Sequence, residues 1–381
     1  MDFEFTHGPK VVSGTHSSRN IDSYLEQLGT DQPLIVTDPD IESAGLLDPV
    51  LETLDAAGRE YVLFDEVKSN PTTTVVKDGT ALAREESADC VVAIGGGSAI
   101  DTGKAISLLI PNGGDWVDYE GVPDVSQGSL PLIAVPTTVG TGSEVTHVNV
   151  ITDVNRDVKM TTATDELFPD IAILDPSLLE SLPPAVTAAT GMDSLTQAVE
   201  AYISPGANPI TDALAIEATR MIGQSLRPAV SGTDMEALGT MQVATTMEGI
   251  AFHNAGLGLV HGMSEPVSGK FHTGHGITNA ILLPEVLEFN LIACPDRYAR
   301  LAEAMGEQTD GLSTRAAADR FVDAVRTLAA DIKIPPGLSD IGAEEAAISD
   351  LVDEAYDHVD SENNPREYTR DDLAAIYERA F

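Results

Sequence analysis

Three histidines within fifteen residues, His261, His272 and His275, follow an aspartate and a glutamine set four residues apart, Asp193 and Gln197. In a helical segment that spacing places Asp193 and Gln197 on one face, about a turn apart. One carboxylate and two imidazoles form a donor set that suits Zn2+ or Fe2+ with an open coordination position. Taken singly, each histidine reads more readily as a hydrogen-bonded structural residue than as a ligand.

A second chemistry is written in the glycines. Residues 90–104, CVVAIGGGSAIDTGK, read as a buried strand, a glycine turn and a helix. Glycines let the backbone approach a pyrophosphate, and the helix start offers unpaired N–H groups and a positive dipole end. Gly95 and Gly97 fit a G-x-G-x-x-G spacing, but position 100 is isoleucine, so a tight turn without a ligand is the competing reading. The run Val135–Glu144, VPTTVGTGSE, follows another buried strand, and two such loops at strand ends favour a nucleotide. Asp38, closing the run Leu34–Thr37, is suited to a ribose hydroxyl and to repelling a 2′-phosphate, hence NAD over NADP. A plain turn in Asp38-Pro39-Asp40 is the alternative.

These residues need elements to hold them. Strand-like runs fall at Pro33–Thr37, Tyr61–Phe64, Cys90–Ile94, Leu130–Val135, Val148–Ile151 and Ile171–Leu174, with amphipathic segments such as Ile21–Leu28 and Thr72–Glu86 between them. That alternation predicts a largely parallel sheet with covering helices. Beyond Leu182-Pro183-Pro184 the chain turns rich in Ala, Leu and Met with few β-branched clusters, which predicts an all-helical second domain. The expected domains are 1–183 and 184–381, with a small-molecule cleft between them.

Composition narrows the partners. The 381 residues carry 61 Asp and Glu against 21 Lys and Arg, a formal charge of −40. Binding nucleic acid through a broad basic surface is excluded by that balance. No apolar run is long enough to span a membrane, and Met1–Phe5 lacks a signal-peptide pattern, so a cytoplasmic protein is expected. Dense carboxylates with only seven lysines suit a high-salt cytoplasm, where ions screen self-repulsion. Cys90 and Cys294 are too few for a disulfide framework and read as free thiols.

Six segments in order resemble the iron-containing (group III) alcohol dehydrogenases over nearly the whole chain, with a haloarchaeal-like charge. They are Gly95–Asp101 (GGGSAID), Pro136–Thr146 (PTTVGTGSEVT), Ala188–Thr196 (AATGMDSLT), Asn254–Met263 (NAGLGLVHGM), His275–Pro284 (HGITNAILLP) and Asn364–Arg366 (NPR). The resemblance implies the dehydroquinate synthase-like fold of that family. Its parts are an α/β N-terminal dinucleotide-binding domain and an all-α C-terminal metal-binding domain. It also implies NAD(H) and a divalent metal, Fe2+ or Zn2+, as cofactors. The activity would be alcohol–carbonyl interconversion by hydride transfer, in a homodimer or larger oligomer.

Carried over by position, Asp38 and Asn70 fall on the adenosine side of the cofactor. Gly96, Gly97 and Ser98 form the pyrophosphate loop, and Thr137, Thr138, Thr141 and Lys159 line the nucleotide. Lys104 reads as local positive charge for the cofactor or as an ordinary solvated lysine. Asp193, His261 and His275 match three of the family's four metal ligands. The fourth, usually histidine, is Gln197, and the family's proton-relay histidine is replaced by Glu265. Three readings follow: Gln197 ligates through its amide oxygen, three protein ligands suffice with water, or Glu265 swings in as a ligand. Glu265 is the catalytic candidate for the proton. Phe252 and Lys270 lie in pocket-forming segments, Lys270 reading either as a contact to an anionic substrate or as a surface ion pair. A metal-independent reductase of the maleylacetate reductase type and a non-catalytic nucleotide-binding protein are the rival readings.

Overall fold

The computed structural model describes residues 2–156, 158–232 and 234–381. Two compact units emerge, one of residues 7–181 and one of residues 182–381 joined by the N-terminal segment up to Thr6. That segment is tied to the helical unit by a reciprocal pair: Thr6 N–H donates to Asn254 Oδ1, and Asn254 Nδ2 donates to Thr6 O.

In the first unit the strands are β1 (Lys10–Ser13), β2 (Pro33–Val36), β3 (Val62–Phe64), β4 (Cys90–Gly95), β5 (Leu132–Pro136), β6 (Val148–Asp153), β7 (Val158–Ala163) and β8 (Ile171–Leu174). Six form one sheet in the order β1-β8-β5-β4-β2-β3, all pairs parallel. Helices α1 (Ile21–Leu28), α2 (Pro39–Ser43), α3 (Asp48–Ala57), α4 (Thr73–Glu85) and α5 (Gly97–Asn112) connect them. The sheet is apolar on both faces, as covered parallel strands must be. Leu34, Val91, Ala93, Leu132 and Ala134 enter one core, and Ile35, Val92, Ile94, Ile133 and Val135 enter the other. Strand order reverses between β2 and β4, which is where open α/β sheets place ligands. The segment Val148–Ile151, expected among the parallel strands, instead belongs to a separate antiparallel pair of β6 with β7.

The second unit is helical: α6 (Pro184–Ile203), α7 (Pro209–Val230), α8 (Met235–Ala255), α9 (Leu259–Phe271), α10 (His275–Asn290), α11 (Pro295–Ala304), α12 (Thr314–Asp331), α13 (Ile348–Tyr356) and α14 (Arg370–Ala380). Helix α6 packs against α7, α8 and α10. Nearly all its residues from Gly191 to Ile203 are buried, polar ones included. Among the described residues no helix is long and apolar enough to cross a membrane. Both cysteines are free, and burial pushes the Cys90 thiol up to about 12.

Candidate metal centre and dinucleotide loops

Asp193 and Gln197 stand one turn apart on α6, both buried. His261 lies in the first turn of α9 and His275 opens α10. One ligand atom from each of Asp193, His261 and His275 falls within 4.8 Å of the others. The Nε2 atoms of both histidines lie 3.7 Å from Asp193 Oδ1. All three also converge on the Asn279 amide, whose Nδ2 is 2.6 Å from Asp193 Oδ1 and 3.1 Å from each Nε2.

Two carboxylates stand behind the imidazoles. Glu200, 3% exposed, accepts from the Gly258 N–H at 3.0 Å, the Val260 N–H at 2.6 Å and His261 Nδ1 at 2.6 Å. Burial alone would push the His261 imidazole down, but the charge and hydrogen bond of Glu200, with Asp193 beyond, lift it to about 9. Glu265 Oε1 lies 3.1 Å from His275 Nδ1. Expected from the sequence as a proton relay or replacement ligand, Glu265 thus sits at the ring nitrogen farther from Asp193. Sequence reasoning missed both Glu200 and Asn279, although each follows a recognised residue at helical spacing.

The donor set fits a divalent cation. Among the described residues Gln197 Oε1 is buried with no hydrogen-bond partner, a costly arrangement unless something electropositive meets it. Close helix packing brings the set together. A Cβ on Gly276 would lie 2.6 Å from Ala189 O and 3.3 Å from Asp193 Cβ, so only glycine lets α10 seat His275 against α6. Gly276→Ala is expected to cost about 1–3 kcal/mol of stability through overpacking. It should also weaken metal retention at least about tenfold, the loss typical of disturbed ligand orientation. Urea melts and metal content after dialysis check both.

The remaining two residues of the helical unit are placed without such convergence. Phe252 is half-buried in the last turn of α8. Lys270 donates to Asp350 Oδ2 at 2.6 Å in a surface ion pair, the second of its two expected readings.

In the α/β unit Asp38, the glycine turn and the threonine run follow β2, β4 and β5, three neighbouring strands. Register pairs Gly95 with Pro136, and the Thr137 N–H donates to Gly95 O at 3.0 Å. Gly95 has φ +153°, and a Cβ there would lie 2.6 Å from Ala99 Cβ. Cβ atoms on Gly96 and Gly97 would meet the side chains of Thr138 and Thr141 at 3.3 and 3.0 Å. Gly96 is the N-cap of α5 and no side chain caps that end. The first-turn N–H groups of that helix thus have no side-chain acceptor at the cap, an arrangement able to accept an anion. Thr137 Oγ1 is buried without a partner among the described residues. Asp38 does what its turn reading required, since Oδ1 accepts from the Asp40 and Ile41 N–H groups at 3.0 Å. Its Oδ2 lies toward Gly95.

Asn70 and Lys159 are held at the β6–β7 pair. The Thr152 N–H donates to Pro71 O at 2.7 Å, next to Asn70, and Thr152 pairs in register with Lys159. Asn70 has φ +54°, a conformation asparagine tolerates.

Lys104 corrects both of its expected readings. It is fully buried, donating to Ser143 Oγ at 3.1 Å, Thr146 Oγ1 at 3.2 Å and Val148 O at 2.8 Å. Its charge is spent inside the fold, not on a cofactor or on solvent.

Residues 8–176 match the family model of the iron-containing alcohol dehydrogenases, and residues 187–381 match the model for the C-terminal part of the Fe-containing alcohol dehydrogenase family. The chain is 42% identical to the NAD-dependent methanol dehydrogenase of Bacillus methanolicus, covering 98% of each chain. It is 40% identical to the lactaldehyde reductase of Escherichia coli (strain K12), covering 94% of each. A solved 1,3-propanediol oxidoreductase superposes with a TM-score of 0.98 at 40% identity, covering all of both chains.

Proposed function

This chain belongs to the iron-containing alcohol dehydrogenase family, and on that premise we propose a division of labour among its residues. The enzyme interconverts an alcohol and an aldehyde or ketone by metal-assisted hydride transfer with NAD(H). Its cofactors are NAD(H) and a divalent metal. Asp193, Gln197, His261 and His275 hold the metal, which when bound supplies Lewis acidity toward the substrate oxygen. The observation that carries this reading is the convergence of Asp193 Oδ1 with two Nε2 atoms. The orphaned Gln197 oxygen supports it as the fourth donor, a neutral hard ligand where the family has an imidazole. Residues 184–381 are thus the metal- and substrate-binding domain.

Nucleotide binding falls to residues 1–183. Gly96, Gly97 and Ser98 take the pyrophosphate at the α5 N-terminus. Thr137, Thr138 and Thr141 line the same loop, Asn70 and Lys159 border it from the β6–β7 side, and the Asp38 carboxylate favours NAD over NADP. The names of the relatives point to short alcohols and aldehydes as substrates. Phe252 fits an apolar wall for them, whereas the Asp350 pair leaves Lys270 little claim on substrate.

The test couples metal analysis to turnover. Alanine at His261 or His275 is expected to abolish bound metal and NAD(H)-linked alcohol oxidation together, more than about 1000-fold below wild type given the several kcal/mol that Lewis acid catalysis supplies. Activity surviving prolonged chelation, or metal retained in both variants, would overturn it.

Iron or zinc, the homo-oligomer and salt adaptation belong to the same proposal. With a formal charge of −40, self-repulsion reaches about 30 Å at 0.01 M salt and about 3 Å at 1 M. Dilution from molar KCl is therefore expected to lower the melting temperature steeply. A melting temperature indifferent to salt would remove the salt-adapted reading.

A further inference from the structure

Glu265 departs from the family pattern, and its position gives it work other than ligation or proton transfer. We propose that Glu265 is a positioning residue that fixes the tautomer and ring orientation of His275, as Glu200 does for His261; this rests on the metal-site reading above.

A neutral imidazole carries one proton, and the nitrogen that faces an acceptor keeps it, leaving the other nitrogen's lone pair for a metal. For His261 the acceptor is Glu200 Oε2, 2.6 Å from Nδ1. For His275 the carboxylate in that place is Glu265, whose Oε1 lies 3.1 Å from Nδ1 at ion-pair distance. Among the described residues that buried Nδ1 has no aligned hydrogen bond, so Glu265 is the acceptor within reach of it. Both Nε2 atoms then face one point, each 3.7 Å from Asp193 Oδ1 and 3.1 Å from Asn279 Nδ2. Helix α9 supplies one ligand, His261, and four residues later the acceptor that orients the other. That spacing puts both side chains on one helical face.

His275 needs such a prop more than His261 does. Its side chain is 33% exposed against 4% for His261. It is the first residue of α10, entered from His272 in a left-handed conformation. Packing therefore holds the His261 ring on all sides, whereas His275 depends on the carboxylate behind it. A carboxylate acceptor also raises the basicity of Nε2, which strengthens a metal bond.

The test uses the full-length protein loaded with Zn2+, read by release to a chelator, and the Co2+-substituted protein, read by its visible absorption. Glu265→Ala is expected to weaken Zn2+ retention about 10- to 100-fold and to alter the Co2+ bands. Glu265→Gln keeps an acceptor oxygen at the same reach and is expected to recover most of that loss. Glu265→Met, which keeps the length without the acceptor, substitutes for the alanine variant should that one not fold. Wild-type retention in the alanine or methionine variant would overturn the proposal. So would a glutamine variant as poor as alanine, which would mark the carboxylate as a direct ligand. Retention unchanged in His261→Ala and His275→Ala would instead reject the metal site itself, so the two failures are distinguishable.

Discussion

Glu200→Ala is expected to cost the enzyme its metal and a large part of its stability in one step. Glu200 carries no direct claim on substrate, yet three donors end on it: the N–H groups of Gly258 and Val260 and the Nδ1 of His261. All lie in a buried environment where water cannot substitute freely. Each donor left unpaired costs about 1–3 kcal/mol, so a loss of at least about 3 kcal/mol follows from the same range. Against the about 5–15 kcal/mol that holds a typical protein folded, that is a severe effect. The loop Gly256–Gly258 and the start of α9 would lose their anchor to α6, and His261 would lose the acceptor that keeps Nε2 free for a cation. Metal affinity is expected to fall by about 100-fold, the upper end for a lost partner of a ligating histidine. Glu200→Gln should fall between, since its amide oxygen can serve the donors on only one side. Urea melts paired with metal titration check both effects. A Glu200→Ala variant that melts and binds metal like wild type would show that the three hydrogen bonds carry no net stability.

Glu200 also marks the limit of what the sequence could reveal. The cluster of His261, His272 and His275 was legible because histidine is scarce here, and the family resemblance picked Asp193, His261 and His275 out as the ligand set. Glu200 is one acid among 61, and composition gives it no distinction. Its spacing does. Residues 193, 197 and 200 follow i, i+4, i+7, a single helical stripe, and polar residues along the buried stripe of a helix must serve each other or a ligand. Asn279, one turn after His275, had the same signal. What spacing cannot give is which ring nitrogen a carboxylate meets, and that decides between ligand and prop for Glu265.

The fold divides in the same way. Strands buried on both faces, such as Cys90–Gly95 and Leu132–Pro136, announce themselves as unbroken apolar runs. The edge strand Lys10–Ser13 is only four residues long and largely exposed, so no pattern singles it out. In β6 burial alternates between half-buried and buried positions, the mark of a strand with one covered face, and it pairs with β7 apart from the main sheet. Reading the run Val148–Ile151 by its apolar residues alone conceals that alternation.

Lys104→Met is the second substitution with a large expected effect, because it removes a buried donor that serves three acceptors. Ser143 Oγ links the lysine to Asp101, accepting from Nζ at 3.1 Å and donating to Asp101 Oδ1 at 2.6 Å. Asp101 Oδ2 accepts from the Val150 N–H at 2.9 Å, and Glu144 is buried close by. This cluster ties α5, whose N-terminus forms the glycine turn, to the loop of the threonine run and to β6. Burial pushes the Asp101 carboxyl up, and Lys104 opposes that shift. Without the lysine, Ser143 Oγ, Thr146 Oγ1 and Val148 O lose their shared donor, and buried polar groups left unpaired cost about 1–3 kcal/mol each. The pH dependence gives an independent check. Burial pushes Lys104 down to about 8, against an ordinary value of 10.5. Between those values the unfolded chain holds a proton that the folded one has released, so stability gains up to about 1.4 kcal/mol per pH unit upward through that window. The contribution is fully present above 10.5 and is lost as the pH falls to 8. The Lys104→Met variant lacks that slope, so urea midpoints of the two proteins should diverge between pH 8 and 10. Parallel midpoints across that range would mean that the lysine titrates as it does in water.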